Sequence, residues 1–130
     1  MLLVLASASA FATTYTVTST SDAGAGSLRA AITGANGAAG ADTIRFAIAG
    51  GGLKTITLAS ALPTISGQLF IDGFTQSGST ENTTDPGSNA VLNIEINGNN
   101  AVATGFTITA ANCSIRGLVM DRFTTNSINL

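Results

Sequence analysis

The side chains most suited to chemistry in this sequence are three carboxylates, Asp72, Glu95 and Asp121. Asp72 lies inside the tetrapeptide FIDG, and Glu95 begins the tetrapeptide EING. Glycoside hydrolysis uses two carboxyl groups about 5–10 Å apart, and adjacent β-strands lie about 4.8 Å apart, so stacked strands could hold such a pair. The alternative is structural, because Asp72 and Asn97 occupy equivalent positions in the two tetrapeptides. We favour a hydrogen-bonding role at a corner and expect no catalytic residue in this chain.

Other reactive groups are scarce. The sequence has no histidine, which is the usual acid–base group near neutral pH, and only one cysteine. Cys113 has no second cysteine for a disulfide or a metal site and is predicted to be a small buried filler. Glu81 and Asp85 offer the hard oxygens that calcium prefers, but two acids in one loop predict only a weak site. We expect no cofactor and no metal.

Basic residues are few and scattered. The chain has five Lys and Arg residues against seven Asp and Glu residues. A surface that follows phosphates needs clustered cations, so we expect no nucleic-acid partner. The basic residues are Arg29, Arg45, Lys54, Arg116 and Arg122.

The first twelve residues differ from the rest of the chain. The run LLVLASASAFA is apolar, then small, and ends in Ala10-Phe11-Ala12, the A-x-A pattern that precedes signal-peptidase cleavage. We interpret residues 1–12 as a signal peptide with a partial n-region, cleaved after Ala12. The alternative is a first strand of the core. The run is shorter than the roughly 20 residues that span a bilayer, and no other segment reaches that length, so we expect a protein that is secreted or at the cell surface and has no membrane span.

A single helix is predicted near the start of the chain. Ser27 is a suitable N-cap, and Gly37 and Gly40 end the pattern. The side chains that recur at helical spacing on one narrow face are Leu28, Ala31, Ile32 and Ala35. We expect Arg29 to form a structural ion pair with Asp22 or Asp42.

The remainder alternates like short strands and carries a repeat. FIDG at 70–73, EING at 95–98 and SIRG at 114–117 share an I-x-G triplet, recurring at about 20–25 residues, a spacing typical of solenoids. Gly73, Gly98 and Gly117 fit corners that tolerate no Cβ or need positive φ. The sequence therefore predicts an all-β β-solenoid with one continuous core. The expected core residues are Ile56, Leu58, Leu69, Ile71, Ile94, Ile96, Phe106, Ile108 and Ile115.

The helix and the polar stretch around 74–90 need separate explanations. A solenoid has an open first coil, and an amphipathic helix lying across it would act as a lid. The polar stretch is either a binding loop or a disordered insertion. No second lid follows Ile128–Leu130, so we expect a chain truncated at its C-terminus, with Leu130 in an unfinished coil.

Three segments carry a resemblance to a known group of proteins. DAGAGSLRAAITGANGAAGADTIRF, ITLASALPTISGQLFIDGFTQ and GFTITAANCSIRGLVMDRF resemble the N-terminal region of large secreted bacterial right-handed parallel β-helix proteins, often adhesin-like, over residues 14 to about 125. The GSLRAAI-to-ADTIRF block carries most of the likeness. Gly26 departs from a related pattern that has Cys before S-L-R. The resemblance implies an exported surface protein without implying one activity.

These expectations combine into one description. Residues 1–12 are a signal peptide, 13–54 a strand–helix–strand cap, and 55–130 the first coils of a right-handed parallel β-helix with a polar loop at about 74–90. The expected function is the capping fragment of an exported scaffold or adhesin-like surface protein, with a structural and binding role and no enzyme activity of its own. The alternative is the non-catalytic start of a β-helix polysaccharide lyase or glycoside hydrolase. Expected partners are glycans, surface proteins and the remaining coils of the parent chain.

Overall fold

The structure is a computed structural model that describes residues 10–130. Nine short strands, one α-helix and one 3-10 turn (Gly73–Thr75) follow one another within that range. The elements are β1 (Thr14–Val17), α1 (Leu28–Gly37), β2 (Asp42–Phe46), β3 (Lys54–Thr57), β4 (Leu69–Asp72), β5 (Ile94–Asn97), β6 (Thr104–Thr107), β7 (Ser114–Arg116), β8 (Val119–Asp121) and β9 (Asn126–Asn129).

The strands form three separate parallel sheets. The first has the order β1-β2-β4-β7, the second β3-β5-β8 and the third β6-β9. Register is maintained along each sheet, so that Ile44 lies opposite Ile71 and Ile71 opposite Ile115. Side chains of alternate residues therefore line up in rows across each sheet, which is the usual consequence of the two-residue period of a strand.

One hydrophobic cluster joins the helix to the sheets. It runs in sequence from Val17 to Phe106 and includes residues of α1 and of strands from all three sheets. The predicted core is confirmed for Ile56, Leu58, Leu69, Ile71, Ile94, Ile96 and Phe106, which are buried. Ile108 and Ile115 are only partly buried and pack against this cluster.

The expected fold class, an all-β right-handed parallel β-helix or β-solenoid truncated at its C-terminus, is wrong. The described chain is a small mixed α/β domain with several short parallel sheets and one helix, and the helix buries its apolar face in the same core as the strands. The predicted repeat fails as well. FIDG and SIRG pair as neighbours in the first sheet, whereas Glu95–Asn97 of EING lies in the second sheet opposite Thr55–Thr57. Asp72 and Asn97 are therefore not equivalent.

The helix itself forms as predicted. Ser27 is its N-cap, with Oγ accepting a hydrogen bond from the Ala30 amide at 3.2 Å. The predicted apolar face is confirmed, because Leu28, Ala31, Ile32 and Ala35 are all buried. Gly34 allows the close approach of β1, since a Cβ there would meet the ring of Tyr15 at 2.6 Å.

Two of the predicted corner glycines lie against each other. A Cβ at Gly73 would overlap the carbonyl oxygen of Gly117, and Gly117 itself has a φ of +70°. The prediction that these positions tolerate no side chain is confirmed. Their contact lies at the ends of β4 and β7, next to Asp72 and Arg116.

Most of the predicted signal peptide lies outside the residues that the structure describes. Residues 1–9 are outside the described residues, and Ala10, Phe11 and Ala12 are exposed and in no helix or strand. Within residues 10–130, no helix is both long enough and apolar enough to cross a bilayer.

Candidate functional site

The three carboxylates considered for chemistry do not come together. Asp72 ends β4 in the first sheet, whereas Glu95 and Asp121 belong to β5 and β8 in the second. Glu95 and Asp121 share a face but are two positions out of register, since Glu95 lies opposite Val119. The Glu95 carboxylate accepts hydrogen bonds from the Thr55 hydroxyl and the Asn97 amide. These contacts hold Glu95 to its own sheet.

Asp72 belongs to an ionic and aromatic group that we term the Arg116 cluster: Phe70, Asp72, Phe74, Glu81 and Arg116. Arg116 donates to Asp72 Oδ2 at 2.8 Å and forms a second ion pair with Glu81 at 2.9 Å. Its guanidinium carbon lies 5.3 Å from the centre of the Phe70 ring and 5.8 Å from that of Phe74, within cation–π range. The hydrogen bond to Asp72 raises the pKa of Arg116 above its ordinary value.

The Arg116 cluster fastens the polar segment 73–93 to the first sheet. Glu81 is the acidic member from within that segment, and it contacts an arginine on β7. A second anchor is Gln76, which is 1% exposed and whose side-chain amide bonds both the N–H and the C=O of Ile48. Both acids proposed for calcium, Glu81 and Asp85, are exposed, and no group of three or more potential metal-ligating side chains occurs among residues 10–130.

The pairing of Asp72 with Arg116 was not predicted from the sequence. The signal was present, because FIDG and SIRG place Asp72 and Arg116 at the same position of the triplet. Opposite charges at equivalent positions of paired strands face each other across the ladder. The prediction for Arg29 is confirmed, since it forms an ion pair with Asp22 at 2.7 Å.

A second feature is the surface formed by the last strand of each sheet, which we term the β7–β9 edge: Ser114–Arg116, Val119–Asp121 and Asn126–Asn129. Each of these strands pairs with one neighbour among the described residues, β7 with β4, β8 with β5 and β9 with β6. The three follow one another directly along the chain. Each therefore has a side on which backbone N–H and C=O groups have no strand partner within residues 10–130.

Apolar side chains become exposed toward this edge. Ile71, Ile96 and Phe106 are fully buried on the penultimate strands. Their partners in the same rows are Ile115, Met120 and Ile128. Ile115 and Met120 are half-buried, and Ile128 is 42% exposed. The interior rows thus continue to the edge and end there at side chains that are incompletely covered.

Three further partly buried side chains lie near the β7–β9 edge in sequence: Cys113, Leu118 and Phe123. All three pack against the core. The thiol of Cys113 lies 3.5 Å from the carbonyl oxygen of Gly67. Cys113 was predicted to be buried, but it is only half covered because it lies beside the last strand of its sheet.

The opposite side of the domain is covered by α1. Arg29 donates to the carbonyl oxygens of Ser60 and Ala61, and Asn36 bonds the carbonyl of Thr64 and the amide of Ser66. The helix therefore contacts β1 and also the segment that follows β3. A shallow cavity of about 170 Å³ lies between helix and strand, lined by Tyr15, Thr16, Gly26, Ser27, Ala30 and Ala31. Its lining carries no charged side chain.

No family model, no curated protein and no solved structure matches this chain.

Proposed function

We propose that this chain is a non-catalytic structural and binding module of an exported surface protein, and that it binds polypeptide through the β7–β9 edge. The observation that carries the proposal is the edge itself, where three consecutive strands each end a sheet and the interior apolar rows reach solvent. An unpaired strand edge is a template for pairing with another chain. Strand addition of this kind supplies main-chain hydrogen bonds for affinity and alternate side chains for specificity.

The side chains at the edge favour a protein partner over a glycan. Ile128, in β9, is 42% exposed. Incompletely covered apolar side chains next to unpaired backbone suit an incoming strand, which covers both at once.

The export part of the proposal is supported by the N-terminal residues. The pattern Ala10-Phe11-Ala12 has small residues where signal peptidase requires them, and these residues are exposed in the structure. The low charged fraction of 9% and the lack of histidine suit a scaffold better than an enzyme. We therefore propose secretion or display at the cell surface.

The binding proposal is tested by measuring the mass of residues 13–130 by light scattering over a wide range of concentrations. We expect concentration-dependent association, because two copies can each cover the other's edge. Ile128→Lys should suppress it, since a lysine on an edge strand opposes pairing. The matched control is Leu53→Lys, because Leu53 is 54% exposed but precedes β3, the first strand of its sheet.

The two variants separate an edge effect from a general gain in solubility. If Leu53→Lys suppresses association as strongly as Ile128→Lys, the edge is not the binding surface. A wild-type protein that stays monomeric at every concentration and captures no peptide with the sequence of β9 would also contradict the proposal. If the wild-type protein binds glycans and Ile128→Lys binds them equally well, the binding function belongs to another face.

A further inference from the structure

The amide of Thr13 lies directly against the buried carboxylate of Asp42. The Thr13 nitrogen donates to Asp42 Oδ1 at 2.7 Å, and Asp42 is 2% exposed. The same residue is held on its other side, because the Thr13 carbonyl accepts from the Thr43 amide at 2.9 Å. Thr13 is thus fixed at the start of β1 with its nitrogen directed at a carboxylate.

Asp42 has no cationic side chain as its partner. None of the ion pairs formed among residues 10–130 involves it. Arg29, whose two predicted partners were Asp22 and Asp42, pairs with Asp22. A buried carboxylate without a positive partner is costly relative to one that is paired, so the position favours a cation at the Thr13 nitrogen.

Thr13 is also the first residue after the Ala10-Phe11-Ala12 pattern. Residues 10–13 are exposed and belong to no helix or strand, which makes the Ala12–Thr13 bond accessible to a protease. The segment crosses Gly40 closely, since a Cβ at Gly40 would meet the Phe11 carbonyl oxygen at 2.8 Å. Removing residues up to Ala12 takes away this crossing but leaves β1 and its hydrogen bonds in place.

We propose that cleavage after Ala12 creates an α-ammonium group on Thr13 that forms an ion pair with Asp42, and that this pair stabilises the mature domain. Water adds across the Ala12–Thr13 peptide bond, the C–N bond breaks, and the products are an Ala12 carboxylate and a Thr13 ammonium. The cleavage step rests on the export part of the proposed function. The ion pair needs only a chain that begins at Thr13, which can be prepared without export, and its position follows from the 2.7 Å contact of the Thr13 nitrogen with Asp42.

The stability that the Thr13–Asp42 ion pair adds should decrease as the pH rises. A neighbouring carboxylate favours the charged amine and so raises the pKa of the Thr13 ammonium above the ordinary α-amino range of about 7.7–8.0. Because the pKa of the Thr13 amine is higher in the folded protein, the added stability is complete below the pKa of the unfolded chain. It is lost as the pH rises through the pKa of the folded protein.

The titratable side chains on the adjoining elements do not pair with Asp42. Arg45 is exposed and lies on the opposite face of β2 from Asp42, and Arg29 of α1 is paired with Asp22. Asp72 of β4 is paired with Arg116. Tyr15 on β1 packs against the helix at Gly34.

The test compares three proteins that differ only at the N-terminus. These are residues 13–130 with a free Thr13 amine, the same chain acetylated on that amine, and residues 10–130. At about pH 6 we expect the free-amine form to melt about 3–6 °C higher than the other two. Above about pH 10 the difference should disappear, because the amine is then neutral. Equal melting temperatures at the lower pH, or a difference that persists unchanged at the higher one, would overturn the ion pair.

Side-chain variants provide a second comparison. Asp42→Asn keeps a hydrogen-bond acceptor but no charge, so it should abolish the difference between the free and acetylated amines. The control Asp85→Asn, at an exposed acid of the 73–93 segment, should leave that difference intact. If Asp42→Asn does not fold, the acetylation comparison still decides the proposal.

The cleavage step has its own readout. Residues 1–130 are expressed in a secreting bacterial host, and the exported protein is weighed by mass spectrometry. We expect a chain that begins at Thr13. A mature chain that begins elsewhere, or that retains residues 10–12, would overturn the assigned cleavage, whereas a protein that is never exported would count against the proposed export. Neither result alters the self-association assigned to the β7–β9 edge.

Discussion

At the scale of single residues, Asp72 illustrates how neighbours decide what a carboxylate does. Its sequence setting resembles a corner residue and also permits a catalytic acid. In the structure it caps the 3-10 turn by accepting from the Phe74 amide at 3.1 Å, and its other oxygen accepts from Arg116. Both oxygens therefore have structural partners. The strand sequence alone could not show this, because it predicts which face a side chain takes but not which strand lies opposite.

The first prediction at this scale concerns Arg116. Arg116→Gln removes both ion pairs and the contacts with Phe70 and Phe74, so the segment 73–93 loses its attachment to β7. We expect faster cleavage within residues 77–92 by a nonspecific protease and a lower melting temperature. Limited proteolysis with mass analysis of the fragments measures the first effect.

Arg45→Gln is the matched control for Arg116→Gln. Arg45 lies opposite Asp72 on the neighbouring strand β2 and is exposed, but Asp72 forms its ion pair with Arg116. We expect replacement of Arg45 to leave proteolysis of residues 77–92 unchanged. Equal acceleration by both variants would show that net charge, and not the Arg116 cluster, holds the segment.

At the scale of elements, the helix could be predicted closely and the sheets only in part. The helix depends on local signals, a serine N-cap and an apolar face at helical spacing, and these fix its start and its buried side. Sheet membership depends on contacts distant in sequence. FIDG and SIRG pair across a long intervening segment, whereas EING joins β3 and β8. Three similar tetrapeptides thus suggested one repeat, although they belong to two different sheets.

The second prediction concerns how α1 is attached to the strands. Asn36→Ala removes two hydrogen bonds, to the Thr64 carbonyl at 2.8 Å and from the Ser66 amide at 3.0 Å. We expect a loss of about 1–2 kcal/mol in the free energy of unfolding, measured by urea denaturation. The control is Thr33→Ala, because the Thr33 hydroxyl bonds only the Arg29 carbonyl within the helix. If the two variants lose the same amount, the contacts of Asn36 with residues 64–66 do not hold the helix.

At the scale of the whole molecule, the position of the helix explains why the expected fold class is wrong. Leu28 and Ile32 are 1% and 0% exposed and pack on the strands, as an amphipathic helix lying across them requires, in the same cluster as Ile44, Ile56 and Phe106. The helix thus contributes to the core of a mixed α/β domain, and the all-β class is wrong. Alternation along the strands and helical spacing in α1 predicted the buried residues but not how the strands divide among three sheets, because hydrophobic patterns specify a face and not its partner.

The same distribution of burial predicts a gradient of stability across the domain. α1 covers one side, and burial decreases toward the β7–β9 edge, where every residue of β9 is exposed. Amides open with free energies that range from near zero at poorly packed ends to the global value in the core. In dilute solution we therefore expect the amides of β8 and β9 to exchange with deuterium faster than those of β2 and β4.

Hydrogen exchange at two protein concentrations extends this prediction to the binding surface. If the β7–β9 edge pairs with a second copy, raising the concentration should slow exchange in β7, β8 and β9 and leave β1 unchanged, because only the edge gains partners. The variant Ile128→Lys should show the fast edge exchange at both concentrations, whereas Leu53→Lys should behave as the wild type. Slowing that is uniform over all nine strands would mean that association stabilises the domain as a whole without using this edge. Fast exchange confined to β1 would reverse the gradient and place the weak side of the molecule next to the helix.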